Sequence, residues 1–123
     1  MFALSNELRE LIGSSIDSVE ALEIILLLLR SPQTYWAPLA IAEQLGIGVD
    51  VAMAKMEAFH RRGILKLGGT TVAYRYGPAD KSLAGSIEDL ARAFSEHPVS
   101  IINAIDSLRL ERLRAFPDEF RVK

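Results

Sequence analysis

Ile41-Ala42-Glu43-Gln44-Leu45-Gly46-Ile47-Gly48 is the stretch whose reading decides the fold, at the centre of a run from Trp36 to Tyr76. A helix is expected to close at Leu45. Gly46 then takes the left-handed backbone conformation that a sharp corner requires and that glycine alone adopts without steric cost. Ile47 points inward and fills the corner. Gly48 is the N-cap of a second helix, where serine or threonine would serve better but glycine is tolerated. That helix spans roughly Val49 to Arg62 and ends at Gly63, as the first ends at Gly46.

Outward from this corner the signals change period. Ile64 to Leu67 alternates apolar and basic residues, Gly68-Gly69-Thr70 is a hairpin turn, and Thr71 to Tyr76 is rich in β-branched and aromatic residues. Upstream, Pro38 suits the first turn of the first helix, where its missing N–H costs nothing. Ile41, Ala42 and Leu45 make that helix's inward face, with Leu39 and Ala40 left outside it. Tyr35-Trp36 suits a short third strand beside the hairpin. Helix, turn, helix and hairpin in this order resemble the winged helix-turn-helix superfamily, most closely bacterial transcription regulators of the MarR and PadR kind. The resemblance covers about residues 18–77. It implies a mainly α fold with a small β-hairpin (α+β): a winged helix-turn-helix with an N-terminal helix and two extra C-terminal helices.

The rest of the chain is read as part of the same domain, since 123 residues fit one core. Ser5 caps a short helix over Asn6 to Ile12, with Leu4, Leu8, Leu11 and Ile12 on one side, and Gly13-Ser14-Ser15 breaks it. Asp17 with Glu20 reads as a capping box opening a helix from Ser18 to about Arg30. Ile24 to Leu29 is apolar nearly all round, which marks a helix buried on more than one side, part of it available to a second subunit. Ser31-Pro32-Gln33 ends it.

Beyond Gly77-Pro78, Leu83, Ile87, Leu90, Ala91 and Phe94 repeat at helical spacing over about Lys81 to Glu96. His97-Pro98 breaks or kinks the chain. A further helix from Val99 to about Ala115 places Ile101, Ile102, Ile105, Leu108, Leu113 and Phe116 largely on one side. The pair, within residues 79–116, is too apolar to stand alone and must pack on the winged helix or on another chain. Regulators of the resembled kind often dimerise through such helices, so a homodimer is expected. The tail from Pro117 to Lys123 is either docked or mobile, and Arg109, Arg112, Arg114, Arg121 and Lys123 form a second basic patch beside Glu111, Asp118 and Glu119.

Composition excludes several classes. Without cysteine there is no disulfide, thiolate catalysis or cysteine-based zinc site. The longest apolar run, Ile24 to Leu29, is far short of the roughly 20 residues a membrane span needs. Acids at Glu7 and Glu10 do not suit a secretory leader, so a cytoplasmic location is expected. His60 and His97 stand alone, no phosphate-cradling glycine loop follows a strand, and no carboxylate pair stands out. No catalytic residue, metal or cofactor is therefore assigned.

Ala52, Met56 and Phe59 recur at i, i+4 and i+7 on the second corner helix and should pack inward. In the resembled family the opposite face enters the major groove. Carried onto this chain, that implies a reading face of Val49, Asp50, Met53, Ala54, Glu57 and Arg61. Backbone and wing contacts would come from Lys55, Arg62, Lys66, Thr70 and Arg75. Base reading rests on Arg or Lys to guanine and Asn or Gln to adenine. Here Asp50 can accept only from cytosine, and Met53 and Ala54 offer apolar contact to a thymine methyl. The net charge of −2 is also unusual for a protein that neutralises phosphates. Two functions follow as expectations. One is a dimeric, DNA-binding transcriptional regulator. The other is a winged-helix module whose apolar face, Leu39, Val49, Met53 and Ala54, docks on another protein. An effector pocket lined by Tyr35, Trp36, Phe94 and Phe116 would accord with the resemblance, although aromatics at such spacing are more often core.

Overall fold

The structure, a computed structural model, describes residues 2–69 and 71–114. It is mainly helical with one small antiparallel sheet. The order is α1 (Asn6–Ser15), α2 (Val19–Arg30), α3 (Pro38–Leu45), α4 (Val49–Arg61), β1 (Leu65–Gly68), β2 (Ala73–Tyr76), α5 (Lys81–Glu96) and α6 (Pro98–Arg114). The expectations for Thr70, Phe116 and the Pro117–Lys123 tail lie outside the described residues.

α2 is the central element, as its all-round apolarity predicts. Ala21, Leu22, Ile24, Ile25 and Leu28 are buried, and Leu26, Leu27 and Leu29 pack against the same core. It contacts α3, α4 and β2. Its N-cap is Ser18, whose Oγ accepts from the Ala21 N–H at 3.1 Å. The capping box at Asp17 is therefore corrected: the Asp17 carboxylate is 2.8 Å from Lys55 Nζ on α4 and is not spent on the helix end.

α1 starts as expected, with Ser5 Oγ accepting from the Leu8 N–H at 3.2 Å. It does not break at Gly13 but continues to Ser15. A helical glycine costs roughly 0.5–1 kcal/mol relative to alanine. Running on delivers Ile16 to the core at 1 % exposure, and burying such a side chain contributes roughly 1.5–3 kcal/mol. The end is closed by the Ile16 N–H to the Ile12 carbonyl and by the Arg112 guanidinium, which donates to the Gly13 carbonyl.

The corner forms as read. Gly46 sits at φ 69°, ψ 36° and closes α3. The Ile47 N–H donates to the Ala42 carbonyl at 3.1 Å, and Ile47 is half-buried against the core. Gly48 caps α4 in extended conformation. Ala52, Met56 and Phe59 are buried, and α4 ends at Arg61 with Arg62 as its C-cap. Gly63, at φ 79°, turns the chain into β1.

The hairpin differs in its limits. Gly68 is the last residue of β1, and β2 begins at Ala73 and not at Thr71. Gly69, at φ 82°, starts the turn, and Thr71 and Val72 belong to it. The register pairs Leu65 with Tyr76, Lys66 with Arg75, Leu67 with Tyr74 and Gly68 with Ala73. The third strand expected at Tyr35-Trp36 shrinks to a single bridge. Trp36 and Tyr74 exchange both backbone hydrogen bonds, at 2.7 and 2.9 Å, before Pro38 opens α3 and removes the next donor.

α5 and α6 satisfy most of their apolar surface inside the chain. They pack on each other and on α1, burying Ile87, Leu90 and Ala93 from α5 with Ile101, Ile105 and Leu108 from α6. Ala93, not Ala91, is the buried small residue of α5. α6 begins one residue early, at Pro98, because proline suits the first helical position. Leu113 departs from the predicted inward face and is 50 % exposed. None of the described helices is long and apolar enough to cross a membrane.

Candidate functional site

α4 is buried along one side only. Asp50, Met53, Ala54, Glu57 and Arg61 are all exposed, as is Val49 at the helix start. The six residues expected on the reading face are thus brought to one outward surface. Its charge is nearly spent internally, since Arg61 Nη1 lies 2.9 Å from Glu57 Oε1 one turn back. Both groups are well exposed, so the pair contributes only about 0.3–0.5 kcal/mol and rearranges easily. Asp50 lies beside Gly48 at the helix start, where a carboxylate favours the macrodipole.

The expected backbone contacts divide. Arg62 and Lys66 are exposed. Lys55 is half-buried and tied to Asp17, so it faces along the flank of α4 and away from the outward surface. Arg75 is held on the hairpin: its Nε donates to Tyr35 Oη at 3.2 Å and its guanidinium stacks 5.7 Å from the Tyr35 ring centre. Tyr35 is so close to the strand that a Cβ on Gly68 would fall 2.5 Å from its ring, which explains a glycine in β1.

Lys66 and Arg75 stand directly opposite one another in the ladder. Like charges in that relation destabilise a hairpin. They splay apart here. Arg75 turns to Tyr35, while the Lys66 stem lies along Gly77, where a Cβ would meet its Cγ at 2.8 Å.

A second assembly was not visible as a unit in the sequence. The end of α1 (Ser14, Ser15), the flank of α4 (Lys55, Arg62) and α6 (Arg109, Arg112) enclose a cleft of about 420 Å³. Arg109 and Arg112 belong to the second basic patch expected from the sequence. Their three-residue spacing puts them on one side of α6, but no local signal tells that this side meets α4. Asp17, at the rim, has its carboxyl held below the ordinary 3.8. Partial burial opposes ionisation there, and is outweighed by the Lys55 hydrogen bond and the charges of Lys55 and Arg112.

Of the aromatic residues expected at an effector pocket, the three that are described each have their own surroundings. Tyr35 is exposed beside the hairpin, Trp36 bridges to Tyr74, and Phe94 packs from α5 against the core. Among the described residues no group of three or more His, Asp or Glu side chains gathers as metal ligands would. His60 lies against Tyr74 with ring centres 5.7 Å apart, and His97 against Phe2 at 4.8 Å. Comparison with protein-family models, with curated proteins and with solved structures found no match.

Proposed function

We propose that the chain is a winged-helix regulator that engages double-stranded DNA, with α4 in the major groove and the β1–β2 hairpin as the wing. The supporting observation is the cationic pair Lys66 and Arg75, set opposite one another on the hairpin that follows α4. Arg75 is engaged by Tyr35, but Lys66 has no counter-ion among the described residues, and two like charges across one rung of the ladder still cost stability. A phosphate bound at the hairpin would offset that cost. The α4 corner beside it, with Gly46 at φ 69° and one helix side free of packing, is the companion feature of such a reading.

Affinity in this reading is modest. Arg61, Lys66 and Arg75 are the cations near the outward surface, so about three phosphates are neutralised per chain. Sequence preference comes from Met53 and Ala54 against thymine methyls and from Asp50 against cytosine. The chain is proposed to act as a dimer through the outer side of α6, where Val99, Leu110 and Leu113 remain 69 %, 51 % and 50 % exposed. Sedimentation of the full chain at micromolar concentration tests this, and a monomer alone would exclude it.

The decisive experiment is a fluorescence-anisotropy titration with duplex DNA over a range of salt. The logarithm of the affinity should fall against that of salt with a slope of about −3 per chain. Absence of binding at low salt would overturn the proposal.

A second reading is favoured by one observation. Leu39 on α3 and Val49 and Met53 on α4 are 58 %, 43 % and 49 % exposed, on a surface that also bears Glu43, Asp50 and Glu57. A protein partner with an apolar centre and a basic rim would suit that surface better than phosphate does. The same titration separates the two readings.

A further inference from the structure

The cleft between α1, α4 and α6 brings Lys55, Arg62, Arg109 and Arg112 together with a single carboxylate, Asp17, in a chain whose net charge is −2. These cations come from two elements far apart in sequence, so helix-end electrostatics alone does not account for their meeting. Two of them are already occupied: Lys55 by Asp17 and Arg112 by the Gly13 carbonyl. Their positions are therefore fixed. The side chains of Arg62 and Arg109 make no hydrogen bond or ion pair among the described residues, and both residues are exposed at the mouth. A rigid inner pair and an available outer pair is an arrangement suited to capturing an anion. Arginine is the side chain whose planar fork matches phosphate oxygens bidentately. Ser15 adds a hydroxyl on the α1 side, while the Ser14 hydroxyl donates to the Leu11 carbonyl. A volume of about 420 Å³ admits more than inorganic phosphate and falls at the lower end of small-molecule sites.

We propose that this cleft binds the phosphate group of a small phosphorylated molecule, held by Arg62 and Arg109 against the fixed charges of Lys55 and Arg112. The cleft lies on the flank of α4, roughly a third of a turn from its outward face by the 3.6-residue period. A ligand here clamps α4 to α1 and α6 without covering Asp50, Met53 or Glu57. The phosphate of a DNA backbone shares the chemistry, and the test distinguishes the two sources.

The full chain is titrated calorimetrically with sodium pyrophosphate, the ionic strength being held constant with sodium chloride. A saturable site, one per chain, is expected. The double variant Arg62→Ala/Arg109→Ala should lose at least about tenfold in affinity, the effect of removing charge-assisted contacts. Its melting temperature without ligand should not change, since neither side chain is used in the fold. No saturable binding, or an unaltered affinity in the double variant, would overturn the proposal. In a second arm, pyrophosphate is added to the chain bound to labelled duplex DNA. Retention of the duplex supports a free small molecule. Displacement, together with loss of duplex affinity in the double variant by the same factor, would assign the cleft to the DNA backbone and overturn the small-molecule site.

Discussion

Lys55 Nζ lies 2.8 Å from Asp17 Oδ1, joining the middle of α4 to the residue that precedes the cap of α2. The bond fixes the flank of α4 against the α1–α2 connection and leaves the other side of that helix free. Its pH dependence follows from the depressed Asp17 pKa. Burial disfavours the carboxylate, but the Lys55 hydrogen bond and the charges of Lys55 and Arg112 prevail. The stabilisation is thus present above the unfolded value of 3.8 and is lost as pH falls through the lower folded value. Asp17→Asn should cost no more than about 0.5–1 kcal/mol at neutral pH, because the group is half exposed and screened. Urea unfolding of the two proteins should converge below pH 3.8.

Two glycines with open space around them should respond with opposite sign. A Cβ at Gly46 or at Gly85 would meet nothing within 4 Å, so packing is not at issue. Gly46 is at φ 69°, and Gly46→Ala should destabilise by roughly 1–2 kcal/mol. Gly85 lies inside α5, and Gly85→Ala should stabilise by about 0.4–1 kcal/mol through the unfolded chain. Denaturant midpoints with unchanged m-values would check both.

Arg112 closes the end of α1 by donating to the Gly13 carbonyl from α6. Arg112→Ala should lower stability by about 1.5–3 kcal/mol, the range for a hydrogen bond from a charged group. Arg112→Met keeps the aliphatic stem, so any stability it recovers measures packing. If both variants melt with the wild type, the cap contributes nothing.

Lys66→Thr separates stability from binding. Removing one of two opposed cations and adding a β-branched residue should stabilise the hairpin by about 0.2–1 kcal/mol. The same change should weaken duplex binding and reduce the salt slope by about 1. A melting curve and an anisotropy titration on one sample check the two directions together.

The corner and the core were the most legible parts of the sequence. Gly46 and Gly63 have to adopt positive φ, and Ala52, Met56 and Phe59 have one buried solution at helical period. Gly13 misled because a glycine signals a break only where tertiary burial does not outweigh it, and Ile16 did. Asp17 misled because a local cap and a distant Lys55 compete for one carboxylate, and the sequence shows only the local partner. The apolar surplus of the C-terminal helices is legible in the sequence, and α1 absorbs most of it. The cationic cleft was beyond reach for the same reason. It is made by three elements held by one shared core, with Leu11 and Ile12 from α1, Met56 and Phe59 from α4 and Ile105 and Leu108 from α6, not by any motif.

The central claim is that the outward side of α4 and the hairpin meet duplex DNA. Backbone amide shifts of the full chain, followed while a short duplex is added at low salt, test it most directly. The account predicts perturbations at Asp50, Met53, Ala54, Glu57 and Arg61 and at Lys66 and Arg75, with the Ile101–Leu108 side of α6 unmoved. A spectrum unchanged by duplex, or one perturbed only away from α4 and the hairpin, would contradict it.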